Sequence, residues 1–509
     1  MPIPKNDLAA LEIKSALEGA IASVKNADFT TGSGGYGYDL IGAAALLRLE
    51  TPWTDQLPRQ KSDTGLTAQW WEFMLSNGRW NAGSNVSGTA EEGKRGGQIG
   101  WSGSIRTAAF KSLALDARVT DEARLTTGGI IDPLALNQAA LLLEVKRAHH
   151  IQNLVGRSGF LLGTANTPTV AAVTSGGSLA DATYYVYVLP INGSAWQRTR
   201  GYSLNGSWAG SASTGTELVD FNRTNGDAGT TPVKGGTGIV SSVGSAALSG
   251  GSGAGALSIS WAPLKGAVAY AVFIGTASGI ANAYFQGVTN TCKYTQTAAL
   301  KTAGQVVVSA FSSDNSEDPL EYDGLLTLLL ESGSPAQYVS MPNGASLSSA
   351  ANGQLDQLDV FLSYFSRNFD GYGPEDAWTS PTTRVAIEKA IMSNASASRV
   401  AYLVNTQAGG NVTPTGAVTE IRNPYTGTMI SLKSDPYIPD GKIILSPRTI
   451  PSRVSSKVTT PVFFRAQQEF YGEAWPRTTR SWSNGVSLVG ALCTPWRAGF
   501  AVLDNVPLS

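Results

Sequence analysis

Histidine and cysteine are nearly missing from this chain, each occurring twice in 509 residues. The histidines, His149 and His150, are neighbours. On a helix, positions i and i+1 do not face each other, so this pair does not suit metal sharing or a Ser-His-Asp arrangement. It reads as two partly exposed helix residues. Cys292 and Cys493 are too few for a disulfide framework, and a cytoplasmic site of synthesis and folding is expected. Long apolar runs are absent as well: nothing approaches 18 uncharged apolar residues of helical composition, so no membrane span is expected. No basic run stands out and formal net charge is −1. That argues against a dedicated nucleic-acid binder working by counterion release. The opening MPIPKNDLAALEIKSALEGAIASVK carries charge throughout, unlike a signal peptide. No cofactor, no metal and no catalytic residue is expected.

What remains is 42% hydrophobic and 15% charged, a globular composition with length for about three domains. The stretch 132–155 organises the rest. Asp132 suits an N-cap, Pro133 the first helical position, and the body LALNQAALLLEVKRAHHIQNLV holds no Gly or Pro. Gly156 is placed to end the helix in a left-handed conformation. The helix would span roughly 36 Å at 1.5 Å per residue. Leu134, Leu141, Val145, Ala148 and Val155 mark one apolar face; Leu136, Ala140, Leu143 and Leu154 mark a second. Two such faces predict a spine packed on both sides, with Glu144 on the polar stripe.

Ahead of it, Ala10, Ile13, Leu17, Ile21 and Val24 recur at helical spacing on an otherwise extended arm over 1–61. Residues 62–130 read as a long hairpin excursion. In its return limb, Leu113, Leu115, Ala117 and Val119 alternate with Ser112, Asp116 and Arg118, the period of a half-buried strand. Five of the twelve tryptophans, Trp53, Trp70, Trp71, Trp80 and Trp101, fall in the first fifth of the chain. So thin a segment has little core of its own, so Trp70, Trp71, Trp80, Trp101 and Phe110 are candidates for a subunit interface, with local packing under the hairpin as the alternative. The tip Gly88-Thr-Ala-Glu-Glu-Gly93-Lys94 has the spacing of a phosphate-binding loop. Arg95 replaces the magnesium-holding Ser or Thr, and Glu91 and Glu92 would repel phosphate, so it reads as a coincidental tip.

Over 164–316 the composition shifts. Between Gly235 and Cys292 the only charge is Lys265. The stretches TYYVYVLP, ALSISWAP, AVAYAVFIG, NAYFQGV, CKYTQT and QVVVSAF predict short strands of an antiparallel sandwich, and SSVGSAALSGGSGAGA a long loop or split. Leu257-Ser-Ile-Ser-Trp261 and Gly266-Ala-Val-Ala-Tyr270-Ala-Val-Phe-Ile274-Gly275 resemble immunoglobulin-like and fibronectin-type-III modules. After the sandwich, EYDGLLTLL, LDQLDVFLSYFSRN and TRVAIEKAIM have helical periods. VAYLVN, EIRNPYTGTMISLKSDPYIPDGKIILSP and SNGVSLVGALCTPWRAGFAVLD add strands. The fold class is α+β, with 164–316 inserted.

This order resembles the major capsid proteins of tailed bacteriophages, whose fold is shared with encapsulins. The residues that carry the likeness are Asp323-Gly-Leu-Leu-Thr-Leu-Leu, Leu355-Asp-Gln-Leu-Asp, Ser380–Met392 and Asp435-Pro-Tyr-Ile-Pro-Asp-Gly-Lys-Ile-Ile-Leu. The resemblance implies an N-terminal arm (1–61), an extended hairpin loop (62–130) and a spine helix of a peripheral domain (131–163). An immunoglobulin-like insertion (164–316), an axial domain (317–445) and a return to the peripheral domain (446–509) follow. It implies a non-enzymatic subunit that self-assembles through hexameric and pentameric capsomers into an icosahedral virion shell. That shell is assembled in the host cytoplasm around double-stranded DNA held without sequence specificity. Portal, scaffold and decoration proteins are the partners it implies, with no membrane. Some relatives cross-link Lys to Asn, and Lys94 and Lys111 are the loop lysines so placed. The alternatives are an encapsulin-like cage, a bacterial surface adhesin, or an enzyme using paired acids such as Asp356 with Asp359 or Glu375 with Asp376.

Overall fold

The computed structural model describes residues 51–62, 65–73, 103–126, 133–200, 214–221, 233–250, 253–348, 355–369, 371–393, 419–451, 458–474 and 479–508. The arm helix near residue 10, the loop tip with its Gly88–Lys94 motif, the Asp132 cap, VAYLVN, Trp80 and Trp101 lie outside the described residues.

The first elements are strands β1 (Arg59–Lys61), β2 (Thr67–Phe73), β3 (Gly103–Ala109) and β4 (Lys111–Thr120), then helices α1 (Asp121–Thr126) and α2 (Pro133–Val155). Next come β5 (Thr169–Val173), β6 (Ala182–Ile191), α3 (Gly193–Thr199), β7 (Gly244–Leu248), β8 (Ala256–Ser260), β9 (Ala269–Gly275), β10 (Tyr284–Thr289) and β11 (Lys293–Gln296). The chain continues through α4 (Leu325–Leu330), β12 (Gln337–Ser340), α5 (Asp359–Asn368), β13 (Asp376–Thr379), α6 (Pro381–Ser393), β14 (Glu420–Arg422), β15 (Met429–Ser434) and β16 (Ile443–Ser446). It closes with β17 (Phe463–Ala474), β18 (Ser481–Cys493) and β19 (Ala501–Asp504). These elements fall into two compact units. Unit 1 is Met1–Ala68, Ala109–Ile151 and Phe464–Ala491; unit 2 is Gln69–Ala108, Gln152–Phe463 and Leu492–Ser509.

Unit 1 is built on a four-stranded sheet in the order β1-β17-β18-β4. In β4 the expected alternation holds: Ser112, Ala114, Asp116 and Arg118 are exposed, and the positions between them are covered. Leu113 and Leu115 sit opposite Leu488 and Val486 of β18, a cross-strand pairing of apolar residues. On α2, Leu141, Val145 and Ile151 are buried. The second predicted face is covered only in part: Leu154 is buried, Leu136 and Leu143 are half-buried and Ala140 is exposed. Burial on α2 rises along the helix rather than around it, and every residue from His149 to Val155 is buried. The histidines are therefore not partly exposed, both being 0% accessible. Helical spacing shows which side chains point apart, but not how much of the helix circumference is covered. Glu144 is exposed, as expected, and pairs with Arg147 at 2.6 Å.

In unit 2, Gly156 ends α2 for a reason other than the left-handed one, since its φ is not positive. A Cβ there would meet the Tyr322 carbonyl oxygen at 2.3 Å, and one on Gly324 would meet the Gln152 oxygen at 2.4 Å. Two glycines let the chain leaving the helix and the chain returning to it lie in contact, joined by Gly324 N–H to Gly156 O at 2.8 Å.

Between these glycines the chain makes two facing sheets, β10-β9-β6-β7 and β11-β8-β5. Tyr184, Val186 and Val188 of β6, Leu257 and Ile259 of β8, and Val272 and Ile274 of β9 share one core with Trp261. Trp261 meets Tyr270 edge-on at 5.3 Å. Two local expectations are corrected. SSVGSAALSGGSGAGA is not wholly loop, because β7 pairs with β6 from Leu248 opposite Ala182 to Gly244 opposite Val186. QVVVSAF is not a strand: Val307 makes a single bridge to Tyr284 and the chain then turns through Val308–Ala310.

The remainder of unit 2 is a six-stranded mixed sheet, β12-β19-β16-β13-β15-β14. Its core takes Phe361, Leu362 and Phe365 from α5 and Ile387 from α6. The stretch 446–509, expected as one return to the peripheral domain, is shared: β17 and most of β18 build unit 1, whereas β19 lies between β12 and β16 in unit 2.

Candidate assembly surface

Strands β2 and β3 pair as a two-stranded stem. An isolated hairpin is marginal in water and needs a base to hold it. Here the base is four charges within unit 2. Arg497 donates from Nε to Glu72 Oε1 at 2.5 Å and from Nη2 to Glu72 Oε2 at 2.8 Å, a fork-on-fork pair. Its Nη1 reaches the Leu328 carbonyl at 2.8 Å and also Glu331. Arg106, on β3, closes the group by donating to Glu331 and lying 3.7 Å from Glu72. Burial alone would pull the Arg497 guanidinium down. Glu72 and Glu331 outweigh that and hold it above its ordinary value. The neighbouring Trp70 is buried and donates from Nε1 to the Thr494 carbonyl at 3.2 Å. Phe73 N–H bonds Pro495 O at 2.8 Å. The stem is thus fixed on both β2 and β3 by side chains.

The other face of the stem presents two large apolar side chains among exposed Thr67, Gln69 and Thr107. Trp71 is 47% and Ile105 64% exposed. The Trp71 indole is steered by Gly103, where a Cβ would meet Nε1 at 2.3 Å. Of the five candidate interface residues, Trp70 is locally packed, Trp71 faces outward and Phe110 is half-buried. Trp80 and Trp101 lie outside the described residues. In unit 1, considered separately, Leu66 is 82% and Leu125 78% exposed, and Leu142 of α2 is also open.

Glu72 and Arg497 were not among the sequence candidates. Each did carry a signal: a charge set in an uncharged aromatic run, Trp-Trp-Glu-Phe and Pro-Trp-Arg-Ala-Gly-Phe. Lone charges in such runs are buried only with partners.

The root of the sandwich is a second polar construction. Outgoing side chains accept four incoming amides: Arg157 N–H to Glu321 at 3.0 Å, Ser158 to Asp323 at 2.7 Å, Leu162 to Ser316 at 2.9 Å and Gly163 to Asp314 at 2.7 Å. Glu321 also accepts from Ser194 Oγ at 2.7 Å. Burial, with Asp318 beside it, pushes the Glu321 carboxyl up to about 7. Further out, buried Lys442 bridges Asp504 at 2.5 Å and the Ala267 carbonyl at 3.1 Å. Asn505, in the left-handed region at φ 57, joins Cys292 N–H and the Met341 carbonyl at 2.8 Å each.

The paired acids have structural partners. Asp376 is held by Lys433 at 3.0 Å and Arg448 at 2.6 Å, Glu375 accepts the Arg448 amide at 2.6 Å, and Asp359 accepts from Tyr425. Asp356 is exposed. Among the described residues no three His, Cys, Asp or Glu are grouped to hold a metal ion, and no helix is long and apolar enough to cross a membrane.

No family model matches the chain and no curated protein does. Among solved structures it is similar to a holo-SrpI encapsulin complex from Synechococcus elongatus PCC 7942, at 18% identity and TM-score 0.23, covering 37% of this chain and 57% of that one. It is also similar to the capsid of Cyanophage P-SCSP1u, at 7% identity, covering 90% and 89% with TM-score 0.35. Mycobacterium phage Patience gives 10% identity, 96% and 94% coverage and TM-score 0.36. The chain thus spans little more than half the length of the encapsulin. At such scores the functional reading rests on this chain's own residues.

Proposed function

We propose that this chain is a structural subunit of the tailed-phage capsid kind, which associates with copies of itself into a closed shell. The observation that supports the reading is the anchored stem. A two-stranded hairpin is held at its base by a buried four-charge cluster and presents Trp71 and Ile105 outward. Exposed Trp71 and Ile105 on a stiff support are suited to a partner surface rather than to solvent. Repetition of one such contact closes a symmetric particle. Enclosed double-stranded DNA and portal, scaffold and decoration proteins belong to the same reading, as does a virion location reached from the host cytoplasm.

The test replaces Trp71 and Ile105 together by Thr, which keeps strand preference and removes the apolar area. The double variant should stay folded by circular dichroism and lose particles in negative-stain images, while the parent chain forms them. Particles of normal yield from the double variant would remove the stem from the assembly contact. A parent chain that stays monomeric at high concentration, with and without a scaffold, would sink the reading.

A further inference from the structure

The only two histidines of the chain lie where α2 meets the residues just before and within β1, an edge strand of the unit 1 sheet. His150 Nδ1 is 2.6 Å from Thr54 Oγ1, tying the helix to the short turn Thr54–Gln56. His149 is set edge-on against Phe464 at 4.4 Å and Phe470 at 5.9 Å, both from β17. On β1, Arg59 holds its guanidinium 5.2 Å from the Phe470 ring centre and 5.9 Å from that of Phe464. One pair of aromatic rings therefore serves a cation and a neutral imidazole at once. β1 itself is three residues long, exposed throughout, and among the described residues paired with β17 alone. Its backbone attachments include Phe464 N–H to Pro58 O at 2.9 Å and Ser62 N–H to Ala466 O at 2.8 Å, and ahead of it Thr51, Trp53 and Thr54 are buried.

From this geometry we infer that His149, with His150 beside it, is an acid-sensitive latch. Protonation at the α2–β17 contact releases the segment 51–62, with β1, from the sheet. The inference goes beyond the assembly reading and does not depend on it.

Burial, Arg59 and His150 push His149 the same way. From its own helix comes His150, from β1 comes Arg59, and β17 contributes aromatic faces. Burial comes first among the causes, followed by Arg59 and then His150, and together they hold the imidazole well below its usual value. A second cation beside the ring pair would be repelled by the Arg59 guanidinium. The nearby pair Lys146–Asp55, at 3.5 Å, also links α2 to the Thr54–Gln56 turn but is substantially exposed, so water weakens it. In the sign of linkage, the open state binds the proton and the closed state does not. Closure is thus complete above the ordinary histidine value near 6.5 and is lost as pH falls below it. For one proton the opening constant rises at most tenfold per pH unit. The opened segment is the short edge strand, since β17 keeps β18 as its other neighbour.

The test is hydrogen exchange by mass spectrometry on the full-length chain from pH 7.5 to 4.5, corrected for intrinsic exchange rates. The amides of Asp55, Gln56, Leu57 and Ser62, each with a backbone acceptor, report the latch. Those of β4 and β18 report the rest of the sheet. In the parent chain, exchange across 51–62 should rise by about tenfold per pH unit below 6.5 while β4 and β18 stay protected. His149→Phe keeps an aromatic ring and should make 51–62 indifferent to pH. Arg59→Gln keeps both histidines and should leave the onset near 6.5 but make the rise level off at a higher pH, with a smaller total change, which covers the case in which the phenylalanine fits poorly. A parent profile without pH dependence, an unchanged profile in both variants, or opening of β4 and β18 in step with 51–62 would each overturn the latch.

Discussion

Unit 2 buries cations and gives each its own acceptors: Arg497 has two glutamates and a carbonyl, and Lys442 has Asp504 and a carbonyl. Unit 1 buries two imidazoles, and the Arg59 guanidinium acting on His149 is of like sign to its protonated form. The difference teaches where each unit is vulnerable. A network of opposite charges fails when one member is taken away, because the partner is left charged and dry. A neutral imidazole in apolar packing fails when a proton is added. Substitutions that remove charge should thus injure unit 2 most, and added charge should injure unit 1 most.

The largest effect is expected from breaking the four-charge base. Arg497→Met leaves Glu72 and Glu331 buried without their guanidinium and should cost about 3–5 kcal/mol in chemical denaturation. Replacing Arg497 and both glutamates together by apolar residues should recover much of that loss. If the single variant is as stable as the parent, the cluster does not hold the stem. Of similar size in unit 1 is Leu141→Asp, which places a charge at a buried position of α2. Desolvating an unpaired carboxylate takes several kcal/mol from a net stability of about 5–15 kcal/mol. Soluble, normally melting protein from this variant would show that α2 is peripheral to unit 1.

A smaller effect sharpens the contrast within unit 2. Glu321 has its carboxyl raised from 4.5 to about 7, so the folded state holds a proton that the unfolded state releases. Its contribution is full below about 4.5 and is lost as pH rises through about 7, a change of at most a few kcal/mol. Glu321→Gln imitates the protonated acid, so the parent's decline over that window should flatten in the variant. Equal slopes in thermal melts across pH 4.5–7.5 would show that Glu321 is not the group responsible. This trend runs opposite in sign to the His149 latch, so the two can be separated in one pH series. The smallest effect belongs to Glu144→Gln, which loses an exposed pair with Arg147 and should change stability by less than about 0.5 kcal/mol. A larger loss in the same melts would mean that Glu144 meets more than Arg147 and solvent.

Periodicity made most elements legible. The two-residue alternation of 111–120 and the β-branched and aromatic runs of the sandwich state their burial directly, because each strand needs one covered face. Where side chains are small the signal vanishes: β7, Gly-Ser-Ala-Ala-Leu, hides in a Ser- and Gly-rich stretch, although a backbone ladder is what fixes it. Gly156 was read as a left-handed stop, but its role is to admit the Tyr322 carbonyl, a contact with a residue far along the chain. Of the interface candidates, adjacent Trp70 and Trp71 point to opposite faces of β2, as strand geometry requires. Composition alone did not say which one faces out. The pairing of Glu72 with Arg497 spans 425 positions, and nothing local in either residue names the other.

The central claim, an anchored stem offering Trp71 and Ile105 to further copies, is tested most directly by sedimentation velocity of the full-length chain over a wide concentration range, with particles imaged from the same samples. The account predicts a fast, concentration-favoured boundary of closed particles that is abolished when Trp71 and Ile105 are both replaced by Thr. A single slow boundary at the monomer mass, unchanged at the highest concentration and with a scaffold present, would contradict it.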